Sequence, residues 1–182
     1  MIKNVVAYIA LTLATLLLGA PPPSRAEMGQ LSENQVKAAY LFNFAKFVEW
    51  PASAFPGAGA PLIIGFIGKG PYGEAHDALS GRLAKGRKVQ VRQFTRIEEV
   101  GGCQILFIAA SEKGRLKEIL RALPATGVLT VSDIGRFCNS GGMIALVSRG
   151  ERVQFEVHIG NAERAGLKLS SQMLKLALTV LE

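Results

Sequence analysis

Four short apolar runs alternate with helix-like segments over residues 62–131, and this alternation limits the possible folds more than any other feature. Leu62 to Ile67 and Gln104 to Ala110 are apolar almost throughout, which is typical of strands buried on both faces. Two further runs predict strands at 88–94 and 128–131, and the segments between the runs have helical spacing, notably at 72–80 and 112–123. Strands that alternate with helices predict right-handed crossovers and a mainly parallel sheet.

The order of elements changes in the last quarter of the chain. Met143 to Ser148 and Arg152 to His158 flank a short turn that contains glycine, which predicts an antiparallel hairpin. Ser170 or Ser171 is expected to cap a final helix that runs to about Leu181. The expected fold class is therefore α/β: one domain over residues 27–182, with a mainly parallel sheet, flanking helices, a C-terminal antiparallel hairpin and a final helix.

The segment before the first strand predicts a helix from about Glu33 to Val48. Ser32 and Gln35 have the spacing of a capping box at its start. Trp50-Pro51 marks its end, because the residue before a proline is disfavoured in helical conformation.

The apolar residues of this helix occupy more than one side of it. Leu41 and Phe42 lie well around the helix from the main apolar stripe. Two explanations stay open: the helix is buried between two layers of the domain, or its outer side contacts a second subunit or a partner. On the second explanation, Leu41, Phe42 and Trp50 are the candidate interface residues, and a homodimer is one expected assembly.

Met1 to Ala26 has the pattern of a secretory signal peptide. Lys3 gives a positive start, an apolar run follows, and three prolines precede small residues around Arg25. An uncleaved membrane anchor is the alternative, but the run is shorter than the ~20 residues that a spanning helix needs. We expect cleavage between Ala26 and Glu27 and a periplasmic product that does not span the membrane.

The chain is basic, with 21 Lys and Arg against 14 Asp and Glu and a formal net charge of +7. Residues 1–26 hold two of the basic residues and none of the acidic ones. In the cytoplasm such a surplus would suggest nucleic acid as a partner. Because export removes that partner, the remaining candidates are anionic lipid headgroups, cell-wall polymers and an acidic face of another envelope protein.

The chain contains one weak cofactor motif and no catalytic signature. Gly68 to Gly73 spells G-x-G-x-x-G, but Pro71 has no N–H to offer a phosphate, and Arg92 and Arg96 stand where a dinucleotide site has an acidic residue. We interpret the motif as a plain turn. The imidazoles of His76 and His158 belong to no metalloprotease or hydrolase signature. No catalytic residue, cofactor or metal is predicted, and the protein is not expected to be an enzyme.

The two cysteines are predicted to be free thiols. Cys103 precedes one strand and Cys138 follows the next, so in parallel strands they lie near opposite ends of the sheet. At about 3.3 Å per residue the separation is roughly 15–20 Å, whereas a disulfide joins Cα atoms within about 7 Å. An oxidising compartment favours a bridge, but this geometry opposes it.

Several motifs together resemble the YfiR-like family of periplasmic proteins. The resemblance covers nearly all of residues 27–182. It implies a non-enzymatic regulator that binds the periplasmic part of an inner-membrane diguanylate cyclase, represses it and so lowers cyclic-di-GMP signalling. It also implies sequestration by an outer-membrane OmpA-like lipoprotein. The motifs are Val36 to Pro51, Cys103 to Ile108, Leu129 to Asp133, Gly141 to Ile144 and Gly166 to Leu174.

The resemblance also bears on the cysteines. Cys103 and Cys138 each match one cysteine of a family disulfide, and Ile64 and Ala145 stand where the resemblance places their partners. Disulfide-based redox sensing is therefore not expected in this chain. The alternative function is that of a periplasmic small-ligand-binding or sensor-associated protein with a different partner.

Overall fold

A computed structural model describes residues 31–100, 102–150 and 152–182. The predicted signal peptide, residues 1–26, and its cleavage site lie outside these residues. Within the described ranges, none of the helices combines the length and the apolar character needed to cross a membrane.

An eight-stranded sheet forms the centre of the domain. In chain order the strands are β1 (Val48–Glu49), β2 (Leu62–Ile67), β3 (Leu83–Ala84), β4 (Arg87–Phe94), β5 (Ile105–Ile108), β6 (Leu129–Ser132), β7 (Ile144–Arg149), β8 (Arg152–His158), β9 (Lys168–Leu169) and β10 (Thr179–Leu181). The strand order in the sheet is β10-β8-β7-β6-β5-β2-β4-β3, while β1 and β9 pair separately. Strands β2, β4, β5, β6 and β7 run parallel, which confirms the mainly parallel sheet. The antiparallel pairing of β7 with β8 confirms the hairpin.

Among the described residues, three of the five helices have a side-chain cap at their start. Ser32 and Gln35 form the predicted capping box, with Ser32 Oγ accepting from the N–H of Gln35 at 3.1 Å. The first helix ends one residue earlier than predicted, because Val48 joins β1. In chain order the helices are α1 (Glu33–Phe47), α2 (Tyr72–Leu79), α3 (Leu116–Ala122), α4 (Ile159–Arg164) and α5 (Ser171–Leu174).

Two predicted helices are shorter in the structure. The segment predicted as one helix over 112–123 is a 3-10 turn, Ala110–Arg115, followed by α3. The final helix ends at Leu174 instead of continuing to about Leu181, because Thr179–Leu181 forms β10 beside β8. The N–H of Leu178 donates to Phe155 O at 2.7 Å and begins this pairing. Backbone pairing with the open edge of β8 thus stabilises a strand here, although the last leucines have helical spacing.

The sheet carries a hydrophobic cluster on each face. Ile105 and Phe107 of β5 point into the cluster beneath α1 and α2, whereas Leu106 and Ile108 point into the cluster beneath α3. All four are fully buried, as the apolar run predicted. Phe44 of α1 packs edge-on against Phe155 at 5.3 Å between ring centroids, so α1 lies directly on the sheet.

A buried lysine joins α1 to the end of β6. Lys37 Nζ lies 2.8 Å from Glu33 Oε1 and 2.8 Å from Asp133 Oδ2, and Ser148 donates to Glu33. Burial alone lowers the pKa of Lys37, but its hydrogen bonds to Asp133 and Glu33 outweigh this effect and raise the pKa above its ordinary value. The hydrogen bond from Lys37 holds the pKa of Glu33 below its ordinary value.

Replacing Lys37 with methionine is expected to lower the free energy of unfolding by about 3 kcal/mol, because the carboxylate of Asp133 then stays partly buried without its cation. Lys117→Met, an exposed lysine on α3, is the matched control and should change stability by less than about 0.5 kcal/mol. Urea unfolding at pH 7 measures both. Equal losses in the two variants would contradict the role of the pair.

The contributions of Glu33 and Lys37 to the stability of the fold are lost at opposite ends of the pH scale. The folded-state pKa of Glu33 is lowered, so its contribution is present above its ordinary pKa of 4.5 and is lost as the pH falls. The folded-state pKa of Lys37 is raised, so its contribution is lost only as the pH rises beyond 10.5. Acid unfolding should therefore depend less on pH in Lys37→Met than in the wild type.

Candidate partner interface

The three residues predicted to form an interface differ in their exposure. Leu41 is fully buried in the cluster beneath α1, Phe42 keeps 8% of its surface, and Trp50 is half-buried. Only Phe42 and Trp50 reach the surface, so Leu41 could act in an interface only by supporting its neighbours. The interface role of the three residues stays a prediction.

Two cationic side chains cover the aromatic ring of Phe42, which lies on the outer side of α1. The guanidinium carbon of Arg82 lies 3.7 Å from the centroid of the Phe42 ring, and Lys46 Nζ lies 5.8 Å from the same centroid. Such contacts are favourable, and the aliphatic stems of the cations shield the ring from water. This explains how a helix that is apolar on two sides is accommodated. Sequence reasoning did not find Arg82, because it lies 40 residues from Phe42.

Trp50 is held in place by a buried glutamine. Its Nε1–H donates to the carbonyl of Gln104 at 3.0 Å. The side chain of Gln104, 2% exposed, accepts from the N–H of Ile63 at 2.8 Å and donates to the carbonyl of Ala54 at 2.6 Å. The backbone carbonyl of Gln104 thus holds the indole ring, while its side chain ties the loop after α1 to the start of β2. The ring is therefore pre-organised at the surface.

A cavity of about 300 Å³ lies beside this ring. Arg87 stands over the Phe55 ring at 3.8 Å from its centroid and donates to the carbonyls of Gly57 and Ala60. The aromatic walls suit an apolar or aromatic anchor, and the lining carries charges of both signs. The cavity is lined by Glu49, Trp50, Phe55, Leu62, Lys85 and Arg87.

The cysteines lie in the cluster beneath α3, and the structure has both as free thiols. Cys103 Sγ donates to the carbonyl of Val100, and Cys138 Sγ lies 3.6 Å from the carbonyl oxygen of Met143. Burial raises the pKa of Cys103 to about 12 and that of Cys138 to about 11. Neither thiol is therefore nucleophilic at neutral pH in the folded protein.

The residue that faces Cys103 differs from the one that the resemblance suggested. Ile64 points into the cluster beneath α1, on the opposite face of the sheet. Gly65 is the facing residue, since a Cβ built on it would lie 3.4 Å from Cys103 Cβ, and the Phe94 ring fills this space. Ala145, suggested as the counterpart of Cys138, packs in the same cluster as Cys138.

Thiol titration is expected to find both cysteines unreactive in the folded protein and both reactive after unfolding without reductant. Their burial and their raised pKa values slow reaction in the native state, whereas unfolding exposes both. The count after full reduction is the control. A bridged species, with fewer than two thiols before reduction, would overturn the expectation.

The glycine motif after β2 is a turn in which two of the N–H groups are used internally. The N–H of Lys69 donates to Ser111 Oγ at 2.9 Å, and that of Tyr72 donates to the carbonyl of Gly70. Neither N–H is left for a phosphate. His158 caps α4 by accepting from Asn161, and His76 is exposed. Across residues 31–100, 102–150 and 152–182, no group of three or more His, Cys, Asp or Glu could hold a metal ion.

The mainly parallel sheet, covered by helices on both faces, defines a single-domain α/β protein. The sequence model of the DUF4154 family, described as YfiR/HmsC-like, matches residues 34–178. The chain therefore belongs to the YfiR/HmsC-like family. The family is periplasmic, regulatory and non-catalytic, and it is associated with the control of diguanylate cyclases.

Proposed function

We propose that this protein is exported to the periplasm, binds the periplasmic part of an inner-membrane diguanylate cyclase, and represses it. The membership of residues 34–178 in the YfiR/HmsC-like family is the observation that carries this proposal. Repression lowers cyclic-di-GMP signalling. Release follows when an outer-membrane OmpA-like lipoprotein sequesters the protein, and a homodimer is the form that we expect to bind.

The surface around Trp50 is the proposed contact with the cyclase. Aromatic and arginine side chains dominate the binding free energy of most interfaces, above all where they are held rigid beside a pocket. Trp50 meets these conditions through its bond to Gln104 and its place on the cavity wall. Phe42 extends the surface along α1 beneath Arg82, and Leu41 supports it from the core.

A small-ligand-binding function is the second candidate, and the cavity of about 300 Å³ favours it. Its volume is at the lower end of the range for small-molecule sites. The two functions differ in their dependence on the cyclase, because a ligand-binding protein would show a thermal shift with a small molecule and no affinity for the periplasmic part of the enzyme.

The decisive experiment measures binding and signalling together. The exported form is titrated with the purified periplasmic part of a membrane diguanylate cyclase encoded beside it, and cyclic-di-GMP is quantified in cells with and without the gene. We expect a saturable complex and higher cyclic-di-GMP in the deletion strain. No complex and no change in cyclic-di-GMP would overturn the proposal.

N-terminal sequencing of the protein from the periplasmic fraction is expected to begin at or near Glu27. The apolar run and the small residues that precede Glu27 motivate this expectation. Recovery of the intact Met1 end from the membrane pellet would show instead that the segment anchors the protein.

A further inference from the structure

The outer edge of β4 is paired as far as Val89 and open beyond it. β3 pairs only with Lys88 and Arg87, and the next contacts on that side are the bonds that the N–H and C=O of Val89 make with Arg82 and Gly81. Since alternate residues of a strand point the same way, the N–H and C=O groups of Val91 and Gln93 also point away from β2. Among the described residues these four groups have no partner.

A groove runs along this open edge. Its volume is about 380 Å³, and it lies between the end of α2 and the outer side of β4. His76, Ser80 and Gly81 form one wall, and residues 88–92 form the other. An extended chain placed in the groove would therefore lie within reach of the unpaired backbone groups.

The groove is basic. The segment 82–96 contains six Lys and Arg and no Asp or Glu. Lys88 and Arg92 line the groove, are exposed, and form no ion pair with a carboxylate of the described residues. Arg92 donates instead to the side chain of Gln90 at 3.2 Å. The positive charges of Lys88 and Arg92 therefore remain available to a negatively charged ligand beside the open edge of the strand.

The two faces of β4 specify the pattern of a matching strand. Val89 and Val91 point into the core cluster beneath α1, so Lys88, Gln90 and Arg92 lie on the opposite, exposed face. Residues directly opposite one another on paired strands contact across the ladder, and opposite charges there stabilise the pairing. Because Leu83 of β3 already lies opposite Lys88, an acidic residue of an added strand would lie directly opposite Arg92.

We propose that the edge of β4 is the docking site for an extended acidic segment of a partner protein, which adds to the sheet beside β4. Pairing of β4 with its copy in a second molecule is disfavoured, because it brings the rows of Lys and Arg together. The inference goes beyond the proposed function and does not require the partner to be a cyclase. It concerns a surface other than the one around Trp50.

The test uses the exported protein and a synthetic ten-residue peptide in which valine and glutamate alternate. A peptide with lysine in place of each glutamate is the charge control. We expect saturable binding of the acidic peptide and none of the basic one. Absence of binding by the acidic peptide would overturn the proposal and leave the basic residues as protection of the edge against aggregation.

Two variants separate strand addition from simple charge attraction. Gln93→Pro removes an N–H that points away from β2. Because edge strands accept proline at such positions, the fold should persist. Binding of the peptide should fall about tenfold or more, because a backbone hydrogen bond to the added strand is lost. Lys88→Glu with Arg92→Glu should weaken binding about tenfold. Lys117→Glu with Arg121→Glu on α3 alters the net charge equally and should leave binding unchanged. Circular dichroism verifies that each variant is folded.

Three further results would overturn the proposal. Gln93→Pro could bind the peptide as well as the wild type, or the α3 variant could lose as much affinity as the β4 variant. The protein could also bind vesicles that contain phosphatidylglycerol through Lys88 and Arg92 and ignore the peptide, which would make the patch a lipid-binding surface. Loss of peptide binding in Gln93→Pro with cyclase binding intact separates this inference from the proposed function.

Discussion

Leu41→Ala is expected to lower the free energy of unfolding by about 3 kcal/mol, because the lost methyl groups leave a cavity in a closely packed cluster. Leu41 has no exposed surface and packs beneath α1. For a domain of this size, the melting temperature should fall by about 6–12 °C, at 2–4 °C for each kcal/mol. Thermal and urea unfolding measure the change.

Leu176→Ala is the matched control for this prediction. It makes the same chemical change at a leucine that is 73% exposed, and it should alter stability by less than about 0.5 kcal/mol. If the two variants lose the same stability, or if Leu41→Ala loses none, α1 does not pack on the sheet as described.

The parallel sheet is readable from the sequence because its signal is local. β5 is a run of four residues whose side chains alternate between two buried clusters, and only an uninterrupted apolar run can supply both. The helices that separate β2, β5 and β6 then require parallel pairing. Both features are carried by residues close together in the chain.

The C-terminal segment shows where local pattern is insufficient. Leu174, Ala177, Leu178 and Leu181 have helical spacing, yet the last of them lies in β10. The deciding interaction is the open edge of β8, which lies more than 20 residues earlier and offers backbone groups to Thr179–Leu181. A local pattern cannot include the free energy of pairing with a distant strand.

The same limit applies to the candidate site. The sequence indicated that α1 has an apolar side beyond its core stripe, but not that Arg82 covers Phe42 or that Gln104 fixes Trp50. Ile64 and Gly65 show that a shift of one residue moves a side chain to the other face of a strand. The open edge of β4 follows only from strand order and register, which no local spacing encodes.

Trp50→Ala is expected to weaken binding to the periplasmic part of the cyclase by about 2 kcal/mol, or roughly 30-fold, since a rigid aromatic anchor beside a pocket is a typical hot spot. Its bond to Gln104 keeps the free ring in position, so little conformational entropy is lost on binding. Titration calorimetry on folded protein measures the loss, and Leu176→Ala is the exposed apolar control.

Trp50→Phe separates recognition by the aromatic ring from the hydrogen bond that holds the ring in place. It retains an aromatic side chain and loses the N–H that donates to Gln104, so stability should fall by about 1 kcal/mol while most of the affinity is retained. Because Trp50 is the only tryptophan of the sequence, its fluorescence should shift to shorter wavelength when the wild type binds the cyclase. If Trp50→Ala lowers stability but binds as well as the wild type, and the emission does not shift, Trp50 is structural and the interface lies elsewhere.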